Sequence, residues 1–180
     1  MSKYDIGAFR YQADLMRYTQ TSSGWAWTKV RNLWTIAERG SGKNIFSAVG
    51  LGAESWRFTL RAQDLSIKDA IRFDGYHHFI SNVQEVERGF WVADAARVAV
   101  AACQYGGMSF EAAVTEKYVT FNQMTPQSEN HITYVLVTPK VIELQPGAYL
   151  SIDGHDYSIL LKHELDPVKN EYEVKRVEDL

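Results

Sequence analysis

Apolar and polar residues alternate in short runs along most of the chain. In the first half such runs cover residues 30–37, 56–62, 70–73, 76–83 and 89–93. In the second half they cover residues 118–123, 131–137, 149–152, 157–161 and 171–177. Aromatic and β-branched residues are common in them, and turn residues bound them, so the period of two predicts strands. Asp74-Gly75 and Asp153-Gly154 each sit between two such runs. Asp-Gly is a strong hairpin signal, because a type I′ turn needs positive φ at both central residues.

Helical pattern is scarce. "SFEAAVTEKY", residues 109–118, opens on a Ser that could cap two helical turns. "ADAARVAVAACQ" is ambiguous: its alanines favour helix, but Val98 and Val100 alternate as in a strand continuing from Trp91. The pattern therefore predicts a mostly β protein: two tandem small β-barrels, or barrel-like sandwiches, with few short helices. "YGGMS", residues 105–109, is the expected boundary, giving modules at 1–104 and 109–180.

The two halves run in the same order. "YVTFNQM" takes the place of "VRNLWTIAE", and "ITYVLV" that of "WRFTLRA". "AYLSIDGHDYSILLK" takes the place of "DAIRFDGYHHFISNV", and "EYEVKRV" that of "GFWVADA". Laying Asp74 on Asp153 carries Ile80 onto Ile159 without a gap, while a small gap lays Phe58 on Tyr134. This reads as an internal repeat whose second copy is degenerate. On this alignment only the first copy has a long loop, residues 39–55, against the short "TPQSEN" of the second. A long insertion on one copy of a shared scaffold is a place for function.

Composition narrows the classes. The chain has 180 residues, 46% hydrophobic and 23% charged, which fits one domain or two small ones. No apolar run approaches the roughly 20 residues of a membrane span, and the N-terminus has no continuous apolar core of a secretory signal. A net charge of −3 without a basic block argues against a general nucleic-acid binder. Cys103 is the only cysteine and lies among small apolar residues, so a buried thiol in a reducing, cytosolic setting is expected.

Catalytic motifs are missing. "GSGK" lacks the first glycine and the Ser or Thr of a phosphate-binding loop: Ala37 and Asn44 stand in those places. His77 and His78 are adjacent on a strand and point to opposite faces. Asp153-Gly154-His155-Asp156 resembles a ligand cluster, but Asp153 is better read as a turn residue. Cysteine pairs are absent and there is no HExxH, so zinc is not indicated, and no Gly-x-Ser-x-Gly elbow occurs. All five tryptophans lie in the first half. Trp34 and Trp91 are expected to fill the core, and Trp25 and Trp27 to serve an intersubunit contact.

The first half carries an ordered set of features: Gly24 and Trp27, then Leu33-Trp34-Thr35-Ile36, then Ser41-Gly42-Lys43-Asn44 opening the long loop. A strand ending at Arg61 and a hairpin from Ile71 to Ile80 follow. Over residues 10–98 this resembles the head–tail joining proteins of long-tailed phages, the small β-barrel stopper or head-closure proteins. The family is usually a single module, so the second half departs from it. The resemblance implies a virion protein of the phage neck, made in the host cytoplasm, with no catalysis and no cofactor. It implies a homo-oligomeric ring of six or twelve copies. The portal and its adaptor would lie above and the tail terminator or tail tube below, with packaged double-stranded DNA held non-specifically in the channel and no membrane contact. It places the loop of Arg39, Gly40, Gly42, Lys43, Ile45, Phe46, Val49, Gly50, Leu51 and Gly52 in that channel.

The loop's residues fit this: the glycines give flexibility, the apolar residues could meet a neighbouring loop, and Arg39 and Lys43 could face phosphate. They equally fit a surface loop folded back on its own barrel, and the resemblance favours the channel. Two alternatives remain: a tail-completion or tail-terminator protein, and a ligand-binding β module, for instance for sugar.

Overall fold

The structure, a computed structural model, describes residues 9–40, 54–117 and 133–177. Every regular element among them is a strand: β1 (Tyr11–Thr21), β2 (Gly24–Arg39), β3 (Ser55–Arg61), β4 (Asp69–Phe73), β5 (Tyr76–Glu87) and β6 (Phe90–Tyr105). There follow β7 (Met108–Lys117), β8 (Thr133–Pro139), β9 (Tyr149–Ile152), β10 (His155–Glu164) and β11 (Lys169–Arg176). The protein is mostly β, as its alternation predicts. The expected helix at 109–118 is instead β7, and the ambiguous alanine-rich stretch is the second half of β6. The expected strand at 118–123 lies outside the described residues.

The chain divides into two compact units, and the division falls inside β6, between Ala99 and Val100. The Tyr105–Ser109 stretch, expected as the boundary, holds the turn from β6 to β7, with Gly106 and Gly107 both at positive φ (55° and 82°).

In the first unit each strand pairs antiparallel with two others, and the ladder closes: β1-β2-β3-β6-β5-β4 and back to β1. In the second unit the first part is played by the end of β6. Its ladder runs β6-β7-β8-β11-β10-β9 and back to β6. Numbered in chain order within each unit, both rings read 1-2-3-6-5-4. Among the described residues every strand of each ring thus has a partner on both sides, which removes the usual site of strand-to-strand aggregation.

The repeat is legible residue by residue. Asp74 (φ 50°) with Gly75 (φ 78°), and Asp153 (φ 47°) with Gly154 (φ 81°), make the same positive-φ turn. Beyond the turn, the register slips between Ile80 and Asn82 against β6, and between Ile159 and Leu161 against β11. A bulge thus falls at Ser81 in one copy and Leu160 in the other, the same distance from the turn. Bulges bend a strand and raise its twist, which a closing ring requires.

Register then fixes the other equivalences. Ile80 lies opposite Ala95, and Ala95 opposite Trp56. Ile159 lies opposite Val174, and Val174 opposite Tyr134. Trp56 therefore corresponds to Tyr134, two residues from the alignment that lays Phe58 there. Packing agrees: Trp56 meets His78 edge-on at 5.5 Å, and Tyr134 meets Tyr157, the equivalent of His78, edge-on at 5.4 Å.

The first core holds Ala13, Leu15, Leu33, Phe58, Leu60, Leu65, Ile71, Ile80, Ala93 and Ala95. Neither Trp34 nor Trp91 belongs to it. Trp34 is 56% exposed, because Leu33 and Thr35 on either side take the inward positions, and Trp91 is half-buried. The second core holds Leu136, Leu150, Ile152, Tyr157, Ile159, Tyr172 and Val174, all buried. At one pair of facing positions the copies exchange volume: Phe58 faces Ala93, and Leu136 faces Tyr172. Such swaps keep total volume and are tolerated. The Tyr172 hydroxyl donates to the Ile142 carbonyl (3.3 Å) and accepts from the Leu144 N–H (3.2 Å), so burying it leaves no polar atom unmet.

Candidate functional site: the root of the 41–53 connection

β2 and β3 are joined through residues 41–53, and the two ends of that connection are tied together. Gly40 N–H donates to the Ser55 carbonyl (2.8 Å), and Ser55 Oγ donates back to the Gly40 carbonyl (2.9 Å). A Cβ on residue 40 would lie 2.8 Å from Ser55 Oγ, so any larger residue displaces that hydroxyl from its place in the clamp. One step on, Arg97 N–H donates to the Glu54 carbonyl (2.9 Å) and extends the β3–β6 ladder.

Side chains reinforce the backbone. The Glu54 carboxylate stands between Arg97 (3.0 Å) and Arg39 (3.8 Å). The Arg97 hydrogen bond, with Arg39 behind it, holds this carboxyl below its ordinary range. Arg39 lies 5.7 Å from the Trp56 ring centre, and Arg97 only 3.5 Å from that of Tyr76, both as cation–π contacts.

Under the root lies an aromatic floor. Trp56, Phe58, Phe73 and His78 pack with ring centres 5.2–6.2 Å apart. His78 Nδ1 lies 3.3 Å from the Ile71 carbonyl, which makes it the protonated nitrogen of the neutral ring. Burial, only partly opposed by that hydrogen bond, pushes its pKa down to about 4. The floor is therefore uncharged at neutral pH.

Arg39 and Gly40, expected in the channel loop, sit in this root. Gly42, Lys43, Ile45, Phe46, Val49, Gly50, Leu51 and Gly52 lie outside the described residues. Of the two tryptophans expected at an intersubunit contact, Trp27 is buried within its own unit against Phe79 (4.9 Å) and Tyr18 (5.1 Å). Trp25 stacks on Tyr18 at 5.8 Å and stays half-buried. The sequence did not single out Glu54, Tyr76 or Arg97. The ladder brings them together from three distant stretches, and no local spacing announces it.

The second unit has a counterpart. Arg176 and His155 hold the positions of Arg97 and Tyr76, and the Arg176 guanidinium donates to His155 Nδ1 (2.8 Å). The connection between the equivalent strands runs from Arg39 to Trp56 in one unit and from Glu116 to Tyr134 in the other, lengths that differ by one residue. The expectation of a long loop in the first copy alone is thus corrected. β7 is the equivalent of β2, and an alignment that takes β7 for a helix runs one strand too far and lays "YVTFNQM" on β2.

In the Asp-Gly-His-Asp stretch at residues 153–156, Asp153 and His155 are tied up in the turn and its neighbours. Asp153 takes the positive φ of the turn (47°), and it donates its N–H to the Ala102 carbonyl and accepts the Ala102 N–H on Oδ1, both at 2.9 Å, which ties the turn to β6. His155 is engaged by Arg176. Among the described residues no group of three His, Cys, Asp or Glu could hold a metal ion. Cys103 is buried at a core position, and burial, followed by the charge of Asp153, pushes its pKa up to about 12. No protein-family model, curated protein or solved structure matches the chain.

Proposed function

We propose that the protein is a structural component of a phage neck. It is a head–tail connector of the stopper type, which joins the portal and adaptor to the tail and helps close the DNA channel after packaging. The observation that carries this reading is the pinned root. A clamp, an ion triad and the Arg39–Trp56 cation–π contact hold the ends of the 41–53 connection together, as a loop that closes and reopens a channel requires. The resemblance of residues 10–98 to head-closure proteins points the same way.

The repeat refines the proposal. Two rings of one topology, each with a long connection at the same corner, let six chains present twelve connections at equivalent positions. A sixfold assembly would then match a twelvefold adaptor above and a sixfold tail below. Mass measurement of the assembled ring should give six copies, and twelve would remove the symmetry argument. Replacing residues 41–53 by a short Gly-Ser linker should leave packaged heads that leak DNA. Full, stable heads with defective tails would instead establish the alternative, a tail-completion or tail-terminator role.

A further inference from the structure

We propose that the outer face of β6, β9 and β10 in the second unit carries a groove for a neutral, hydroxyl-rich ligand: a pyranose or short glycan. The groove encloses about 460 Å³, within the roughly 300–1,000 Å³ typical of small-molecule sites. It is independent of the neck reading and of the 41–53 connection.

Three polar side chains form a row across its floor. Gln104 pairs with Ser151, and Ser151 with Asp156, so amide, hydroxyl and carboxylate stand side by side on one face. Direct cross-strand neighbours are about 5 Å apart, a spacing that spans one sugar ring. Tyr149, two residues before Ser151 on the same face, is 67% exposed and offers its ring beside the row. Tyr105 completes the wall, its hydroxyl fixed by the Gln145 N–H (3.3 Å), and the Gly106-Gly107 turn closes the end.

None of Gln104, Tyr149, Ser151 and Asp156 has a side-chain hydrogen bond to another described residue. Together they supply donors, acceptors and an aromatic face, and no cationic side chain lines the groove. That set suits hydroxyl groups and C–H faces and does not suit an anion.

The first unit shows what a filled row looks like. By register its equivalents of Gln104, Ser151 and Asp156 are Asp14, Arg72 and His77. There Asp14 is bound by Arg72 (2.7 Å) and Lys29 (2.8 Å), so the row satisfies itself. Ala70, buried, stands where the second unit has the exposed Tyr149. The same scaffold is closed in one copy and left open, with unspent polar groups, in the other.

The test is amide NMR of the full chain, titrated with methyl glycosides of glucose, galactose, mannose and N-acetylglucosamine and with their β-linked disaccharides. We expect saturable shifts centred on Gly106, Gly107, Ser151 and Asp156 with at least one sugar, at a dissociation constant of ~0.1–10 mM. Tyr149→Ala and Asp156→Asn, both at exposed positions, should each weaken it by about tenfold, one decade of affinity, with the rest of the spectrum unchanged. Absence of any saturable shift, shifts centred elsewhere, or binding that survives both substitutions would overturn the proposal.

Discussion

The two units share a frame and spend it differently. Ring order, the Asp-Gly turn and the bulge after it coincide, down to the isoleucines Ile80 and Ile159 that precede the slip. These features set twist and closure. What differs lies on side chains the ring does not need. At the bulge, the first unit places Ser81 and Asn82, tied to the Asp94 carbonyl and carboxylate (3.0 and 3.4 Å). The second places Leu160 and Leu161, 42% and 52% exposed. Against Trp56 the first has a neutral buried imidazole, and against Tyr134 the second has a phenol. A repeat whose skeleton is preserved while its surfaces diverge has been relieved of doing one job twice.

The largest expected divergence is in acid. His78 has a folded pKa of about 4, below the roughly 6.5 of an exposed histidine in the unfolded chain. Between those values the unfolded chain binds more protons, so stability rises with pH. The contribution is complete above about pH 6.5 and is lost as pH falls toward 4, a total of about 3 kcal/mol. The second unit has Tyr157, and so no imidazole, at the equivalent place. His78→Phe should therefore flatten the dependence of Tm on pH between about 6.5 and 4.5. A variant that keeps the full slope would show that the sensitivity arises elsewhere.

Next comes a test of sameness. Gly75 and Gly154 have nearly equal φ, and a Cβ on either meets nothing within 4 Å. Gly75→Ala and Gly154→Ala should each cost only the left-handed backbone penalty, about 1 kcal/mol. Urea unfolding of the two variants should give matching losses. Values differing by more than about 1 kcal/mol, well outside the usual context scatter for such a substitution, would mean that the two turns carry different loads.

Much of this frame could be read in the sequence, because its signals are local. Asp-Gly between alternating runs specifies its own turn, and one shift of register carried Ile80 onto Ile159. The misses are elements whose period is broken by burial on both faces. In β7, Phe110, Ala112 and Ala113 are all buried, so alternation fades and the alanines mimic a helix. In β1, the slip at Leu15 and Met16 buries two consecutive residues and hides the strand. Trp34 misled by its size: apolar character alone does not say which face a strand residue takes. The root of the 41–53 connection is hidden for a different reason. Arg39, Glu54, Tyr76 and Arg97 meet only because β2, β3, β5 and β6 are neighbours in a closed ladder.

The smallest effect is also the most local. Glu54 is the hub of that root, accepting from Arg97 and drawing Arg39 toward Trp56. Its side chain is 42% exposed, and exposed ion pairs contribute little to global stability. Glu54→Gln should therefore leave the unfolding midpoint where it is. Local opening is another matter, because a segment can open far more readily than the whole domain unfolds. Losing the hub's charge loosens its hold on both guanidiniums and leaves the Gly40–Ser55 clamp and the Arg39–Trp56 contact as the ties between the ends of the connection. Hydrogen exchange at the Gly40 and Arg97 amides should accelerate several-fold, while amides of the second unit, where Arg176 and His155 form their own pair, keep their rates. Unchanged exchange at Gly40 would assign the rigidity of the root to the backbone clamp alone. The ion triad would then be a surface ornament of the first copy rather than what distinguishes it from the second.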